Sequence, residues 1–223
     1  SVFCKRKNNS QSNIESFKDF LTTFQSSYTT IPRLPIPPNS EIVDIELSIA
    51  DYHLAKKHVN NDNSIVQRTE RFLTTVDTLI NRATSCFTID TVVFPISNDF
   101  FHTDNYFNST TKGTPQDVIM SYSEEYELGF KILVDSINTL LVNSNNVKVI
   151  LVSGNHDKTK SFYLAHALEV YFRSESRVSF DRETSPIKSV VVGDTFIGYH
   201  HGDCRKLEEL PLLFATDVNC SKA

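Results

Sequence analysis

VKVILVSGNHDKTK, residues 147–160, passes from a run rich in β-branched residues into Gly-Asn-His-Asp and then into alternating lysines. A short apolar run bounded by glycine reads as a buried strand. A helix is expected at about 160–173, so the stretch is the strand, turn and helix start of one β-turn-α unit.

The same alternation extends in both directions. Upstream, strands are expected at 42–50 (IVDIELSIA) and 91–97 (TVVFPIS), with a helix at about 64–84 opened by Ser64 and Gln67 in capping-box spacing. A second long helix is expected from Thr114, with Pro115 at its first position and Asp117 in its first turn. It carries Ile119, Tyr122, Tyr126, Leu133, Ile137 and Leu140 on one stripe and ends near 143–146. Downstream come an extended piece at 177–180, strands 187–192 and 196–200 joined by a tight Gly-Asp turn, and a last helix near Arg205. Alternating strands and helices imply a layered α/β fold with parallel pairing, and the closing hairpin adds antiparallel character.

Residues 12–27 read as a short amphipathic helix, followed by the proline-rich IPRLPIPPNS at 31–40, the best boundary in the chain. The expected organisation is therefore 1–40, a helix and linker, and 41–223, the main domain. At 223 residues the chain can bury a core without disulfide staples. Its four cysteines, Cys4, Cys86, Cys204 and Cys220, form no C-x-x-C pair and read as reduced packing residues. No run is long and apolar enough for a membrane span, and no signal core follows the first charges, so a cytoplasmic chain with no membrane partner is expected. With 27 acidic against 22 basic residues and a net charge of −5, there is no global basic excess; a polyanion would need a local site.

Chemistry collects where strands end. IVDIELSIA runs into Asp51-Tyr52-His53, TVVFPIS into Asn98-Asp99, VKVILVS into Gly154-Asn155-His156-Asp157, and FIGY into His200-His201-Gly202-Asp203. Loops at the carboxyl ends of strands in an open α/β sheet converge on one edge, so these groups can share a site. Oxygen and imidazole donors without thiolates suit Mn²⁺, Fe²⁺ or Zn²⁺, and two such ions close together support phosphoryl displacement. Within the 154–157 turn, Asn155 offers a carbonyl oxygen to a metal, His156 can act as acid on a leaving group, and Asp157 can hold that imidazole in one tautomer.

ADYHLAK (50–56), ISNDFF (96–101), SGNHDK (153–158) and YHHGD (199–203) resemble, in order and spacing, successive motifs of the calcineurin-like metallophosphoesterases, nearest to their nuclease-like branch and its phage-encoded relatives. The segment 99–117 looks especially like the phage-type members. The resemblance covers roughly residues 42–214. It implies an α/β/β/α sandwich with mixed sheets, incomplete at its C-terminus, and two divalent ions, Mn²⁺ foremost. Asp51 and His53 would hold the first metal, Asp99 would bridge, Asn155 and His201 would complete the metal set, and His156 would act on the phosphate. His201 fits the metal position better than His200.

Two departures from the family pattern stand out. Asn98 replaces the usual glycine before the bridging aspartate, a change Asn tolerates because it enters left-handed backbone geometry. No histidine follows Gly202, so the family's closing G-H-x-H is missing and the chain is expected to be a fragment or to lack full dinuclear coordination. His102 and Asp104 are expected to be loop structure, His58 and His166 surface or packing groups, and Asp203 a helix cap more than a partner of His201. Lys158 and Lys160 read equally as phosphate contacts or as a solvated helix start.

The function expected is metal-dependent phosphoester hydrolysis, by a phosphodiesterase or nuclease acting on a phosphoester substrate that includes DNA or RNA among its candidates. The alternatives are a binding or scaffold module without turnover and a small-molecule phosphomonoesterase.

Overall fold

The computed structural model describes residues 31–35, 40–58, 64–203 and 205–220. The chain divides into two compact units, Ser1–Ile31 and Pro32–Ala223. The helix expected at 12–27 lies outside the described residues.

Strand β1 (Ile42–Glu46) breaks at Leu47 and resumes as β2 (Ile49–Ala50), both parallel to β3 (Thr88–Ser97). Helix α1 (Ile65–Thr84) joins them, and Ser64 caps it by accepting the Gln67 N–H, as its sequence predicts. Helix α2 (Tyr122–Asn143) leads to β4 (Ser144–Val152), and helix α3 (Lys158–Tyr171) to β5 (Val178–Asp181). The resulting sheet, in the order β1-β3-β4-β5 with β2 beside β3, is parallel throughout. Each crossover advances the same way, so the right-handed rule puts all three helices on one face. There Phe72, Val76 and Ile80 of α1, Ile132, Leu133 and Ile137 of α2, and Leu164 and Leu168 of α3 are buried.

The other face receives an antiparallel hairpin, β6 (Ile187–Val192) and β7 (Thr195–His200). Val190, Val192 and Tyr199 pack there against Val93, Ile150 and Val152. Beyond the hairpin, a short helix α4 (Leu210–Ala215) sets Phe214 against Phe196, in space that Gly198 leaves open. The layers run helices, parallel sheet, hairpin, helix. Each sheet is of one kind, so the mixing expected within sheets is instead a division between them.

Other expectations shift. The second long helix starts at Tyr122, capped by Ser121 and Glu124 in a reciprocal box, and not at Thr114. Pro115 instead bridges back to Ser109, and the Thr110 N–H bonds the Thr114 carbonyl, so a folded loop takes up the helix's expected first turns. Cys86 and Cys220 are exposed free thiols and not packing residues, while Cys4 and Cys204 lie outside the described residues. Among the described residues no helix is long and apolar enough to cross a membrane.

Candidate metal centre

Because β2, β3 and β4 are parallel and in register at their ends (Ala50 opposite Ser97, Ser97 opposite Val152), their exits emerge side by side. The pairing continues into the loops. Asp51 N–H bonds the Asn98 carbonyl at 2.8 Å, His53 N–H the Asp99 carbonyl at 3.0 Å, and Leu54 N–H the Phe100 carbonyl at 2.9 Å. To make these bonds while turning, Asp51, His53, Asn98 and Asp99 adopt φ of 61°, 47°, 47° and 58°. Left-handed backbone at four non-glycine residues costs energy, and such strain clusters at functional sites.

Asp99 is the hub of the site. Its buried carboxylate accepts the His156 N–H on Oδ1 at 2.7 Å, and its Oδ2 lies 3.1 Å from His201 Nε2. Asp51, His53 and Asp99 each offer a donor atom within 4.8 Å of the others. Gly154 makes this approach possible, since a Cβ there would fall 1.9 Å from Asp99 Oδ1. His53 Nε2 lies 3.1 Å from the largely exposed Asp51 carboxylate. Asn155 sits on the same turn between Gly154 and His156, and its backbone carbonyl accepts the Thr111 N–H at 3.2 Å. His200 Nδ1 accepts the Gly202 N–H at 2.9 Å.

Three imidazoles make a second group: His53, His102 and His156 also bring one donor atom each within 4.8 Å of the others. His102, expected in loop structure, is buried at this centre. Its Nδ1 is 3.1 Å from His53 Nδ1, its ring stacks on His156, and its carbonyl lies 2.9 Å from His156 Nδ1. Burial, reinforced by the neighbouring His53 and His156, pushes His102 down to about 3, so the ring stays neutral and can donate a lone pair. Burial also lowers His53, against the pull of Asp51 and Asp99. The only sequence signal for His102 is its position three residues past Asp99.

Asp157 does not hold the His156 ring, although it follows that residue directly in the chain. Its fully buried carboxylate accepts from Phe101 N–H (2.9 Å), Gly154 N–H (3.3 Å) and Ser161 Oγ (2.6 Å), and burial raises it to about 6. The His102 carbonyl takes over the ring-holding part, and Asp157 ties the 101 and 154 turns to α3.

Asp203, expected to cap a helix, lies 3.4 Å from His201 Nδ1 and 3.7 Å from Lys158 Nζ, while the nearest helical turn starts only at Leu207. Lys160 is fully buried in an ion pair with Glu125 at 2.6 Å, so it cannot reach a substrate. Glu125 in turn accepts the His102 N–H at 3.0 Å, and Asp104 accepts the Thr159 and Lys160 N–H groups at 2.8 Å. Sequence reasoning also misses Arg68, which donates to the His53 and Lys56 carbonyls from the stripe Arg68, Phe72, Val76, Ile80. An arginine inside such an apolar stripe is the available signal. His58 and His166 are surface groups.

The carboxylate and imidazole donors, gathered around a strained backbone, make two groups able to hold a metal ion. The imidazole group lines a cleft of about 610 Å³: His53, His102 and His156 share its wall with Lys56, Lys57, Pro115, Gln116 and Asp117. No family model matches the sequence, and neither curated proteins nor solved structures show a match.

Proposed function

We propose that this chain is a metal-dependent phosphoester hydrolase of the calcineurin-like metallophosphoesterase type, acting on phosphodiesters. The observation that carries the reading is Asp99, whose one carboxylate meets the His156 turn and His201 while grouping with Asp51 and His53. Asp51, His53 and Asp99 thus form one candidate cation group, and the His156 turn and His201 are bound to its Asp99. The α/β/β/α order of layers supports the same family fold.

In this reading Asp51, His53, Asp99, Asn155 and His201 hold two divalent ions, Mn²⁺ foremost. Bound ions supply Lewis acidity to a phosphoryl group. The protein's own residues do the rest. Lys56 and Lys57 line the cleft and draw an anionic ester into it. His156 donates its Nδ1–H to the His102 carbonyl, so its Nε2 is the free ring nitrogen, and in the imidazolium form Nε2–H gives its proton to the departing oxygen and leaves the neutral ring. Asp203, itself 3.7 Å from Lys158 Nζ, places its carboxylate 3.4 Å from Nδ1 of His201, on the far side of the ring from Asp99.

The test is bis-p-nitrophenyl phosphate hydrolysis alongside cation binding by calorimetry. Asp99→Ala should lose both, and His156→Gln should lose turnover by about 10²-fold or more while keeping the cations. Cation binding without turnover at any ester would favour a binding module, and no cation binding would end the metallohydrolase reading. Faster turnover of monoesters than diesters would favour a phosphomonoesterase.

A further inference from the structure

Two aromatic rings next to the cleft have no role in the centre described above. Tyr106 is 77 % exposed and Phe107 is 88 % exposed, on the loop between Asp99 and α2. Scattered surface apolar groups are ordinary, but these are adjacent and held out by a closed turn. Asn105 Oδ1 accepts the Phe107 N–H at 2.9 Å, Asn105 Nδ2 donates to Ser109 Oγ at 2.7 Å, and the Asn108 N–H bonds the Asn105 carbonyl at 3.1 Å. Asn108 holds φ of 53° to complete the turn.

That turn is fastened to the cleft at two points. The N–H of Gln116, a cleft-lining residue, bonds the Asn108 carbonyl at 2.8 Å, and the Thr111 N–H bonds the Asn155 carbonyl at 3.2 Å. Lys112 is exposed on the same loop, and Lys56 and Lys57 line the cleft itself. The Tyr106 ring lies 6.2 Å from that of Tyr122, and Phe107 stands exposed beside it in sequence. Exposed aromatic rings beside cations and a candidate phosphoester site are the combination that single-stranded nucleic acid engages, since every base has a π-face and the backbone is anionic.

We propose that Tyr106 and Phe107 form a stacking platform for an unpaired nucleobase of a polynucleotide whose backbone enters the His53–His102–His156 cleft. The proposal rests on the phosphoesterase reading for what happens to that backbone, but base stacking itself is measurable without turnover. A small phosphomonoester makes no use of the platform.

The experiment is fluorescence anisotropy of the full chain with labelled dT12, rU12 and a 12-base-pair duplex, in chelator to prevent cleavage. Phe107→Ala should weaken single-strand binding by at least about fivefold. Phe107→Trp should restore it, and Phe107→Leu, apolar but without a π-face, should not. Thermal melting and bis-p-nitrophenyl phosphate hydrolysis should stay at the wild-type level, because the side chain is solvent-exposed and outside the centre. The tighter of the dT12 and rU12 arms identifies the strand chemistry.

Unchanged single-strand affinity in Phe107→Ala overturns the proposal, as does equal binding of duplex and single strand. Self-association by sedimentation that Phe107→Ala abolishes also overturns it, and makes this turn a contact between copies. If Phe107→Ala weakens strand binding while no ester is turned over, the platform stands and the hydrolase reading falls.

Discussion

Gly154→Ala adds one methyl group at the tightest point of the centre. A Cβ there falls 1.9 Å from Asp99 Oδ1 and 2.5 Å from both Asp99 Cγ and the Asp99 backbone N. These are well inside the ~3.5 Å of a relaxed carbon contact. One clashing atom is main chain, so a rotamer change alone cannot relieve the overlap. If the carboxylate swings away, it gives up the His156 N–H bond at 2.7 Å and the His201 contact at 3.1 Å. Hydrogen bonds to a charged group contribute about 1.5–3 kcal/mol each, so the loss is about 3–6 kcal/mol. Gly154 is not among the residues with positive φ, so alanine brings no backbone penalty, and the stiffer unfolded chain returns up to about 1 kcal/mol. The net expectation is a destabilisation of about 2–5 kcal/mol. Urea unfolding measures it, with an unchanged m-value indicating that the two-state comparison holds. Calorimetric Mn²⁺ titration should show affinity weakened at least about tenfold. A variant within about 0.5 kcal/mol of wild type, the range of an ordinary surface change, and with undiminished cation affinity would refute the close approach of Asp99 to this turn.

Other perturbations separate structural groups from chemical ones. Asp157→Ala leaves the buried Phe101 and Gly154 N–H groups without their acceptor, at about 1–3 kcal/mol each, so a loss of about 2–6 kcal/mol is expected in urea unfolding. Lys160→Met strands the Glu125 carboxylate in the interior and should cost about 3–5 kcal/mol; adding Glu125→Gln, which removes the charge but keeps a carbonyl acceptor for the His102 N–H, should recover part of that, a double-mutant cycle by thermal or urea denaturation being the check. Burial holds the Glu46 carboxyl above its ordinary range, so the folded chain binds this proton more tightly than the unfolded chain does. Its contribution to stability is greatest below the unfolded value and falls as pH rises through the folded one. Glu46→Gln should therefore gain stability relative to wild type at pH 7 and lose that advantage near pH 4, in paired unfolding curves at the two pH values.

Local sequence determines much of this protein. Strand runs such as VKVILV and capping signals such as Ser64 with Gln67 depend on neighbours a few residues away, so they act before any tertiary contact forms. They also put Asp51, His53, Asp99 and His156 at strand exits, where a parallel sheet must gather them on one edge. The sequence opens helix α2 one loop too early because Pro115 is as good a loop residue as a helix opener. The bond between the Thr110 N–H and the Thr114 carbonyl settles that choice.

Burial and orientation are decided only in three dimensions. His102 and Lys160 look like surface loop and helix-start residues, yet Glu125, 23 positions beyond His102 and 35 before Lys160, binds the backbone of one and the ammonium of the other in the interior. Asp157 follows His156 directly, but its carboxylate points to Phe101 and Ser161 because the first turn of α3 rotates it away from the ring. Residue type and spacing say which groups can reach a shared edge. Which way each side chain faces there depends on partners brought near by packing, and no local pattern encodes them.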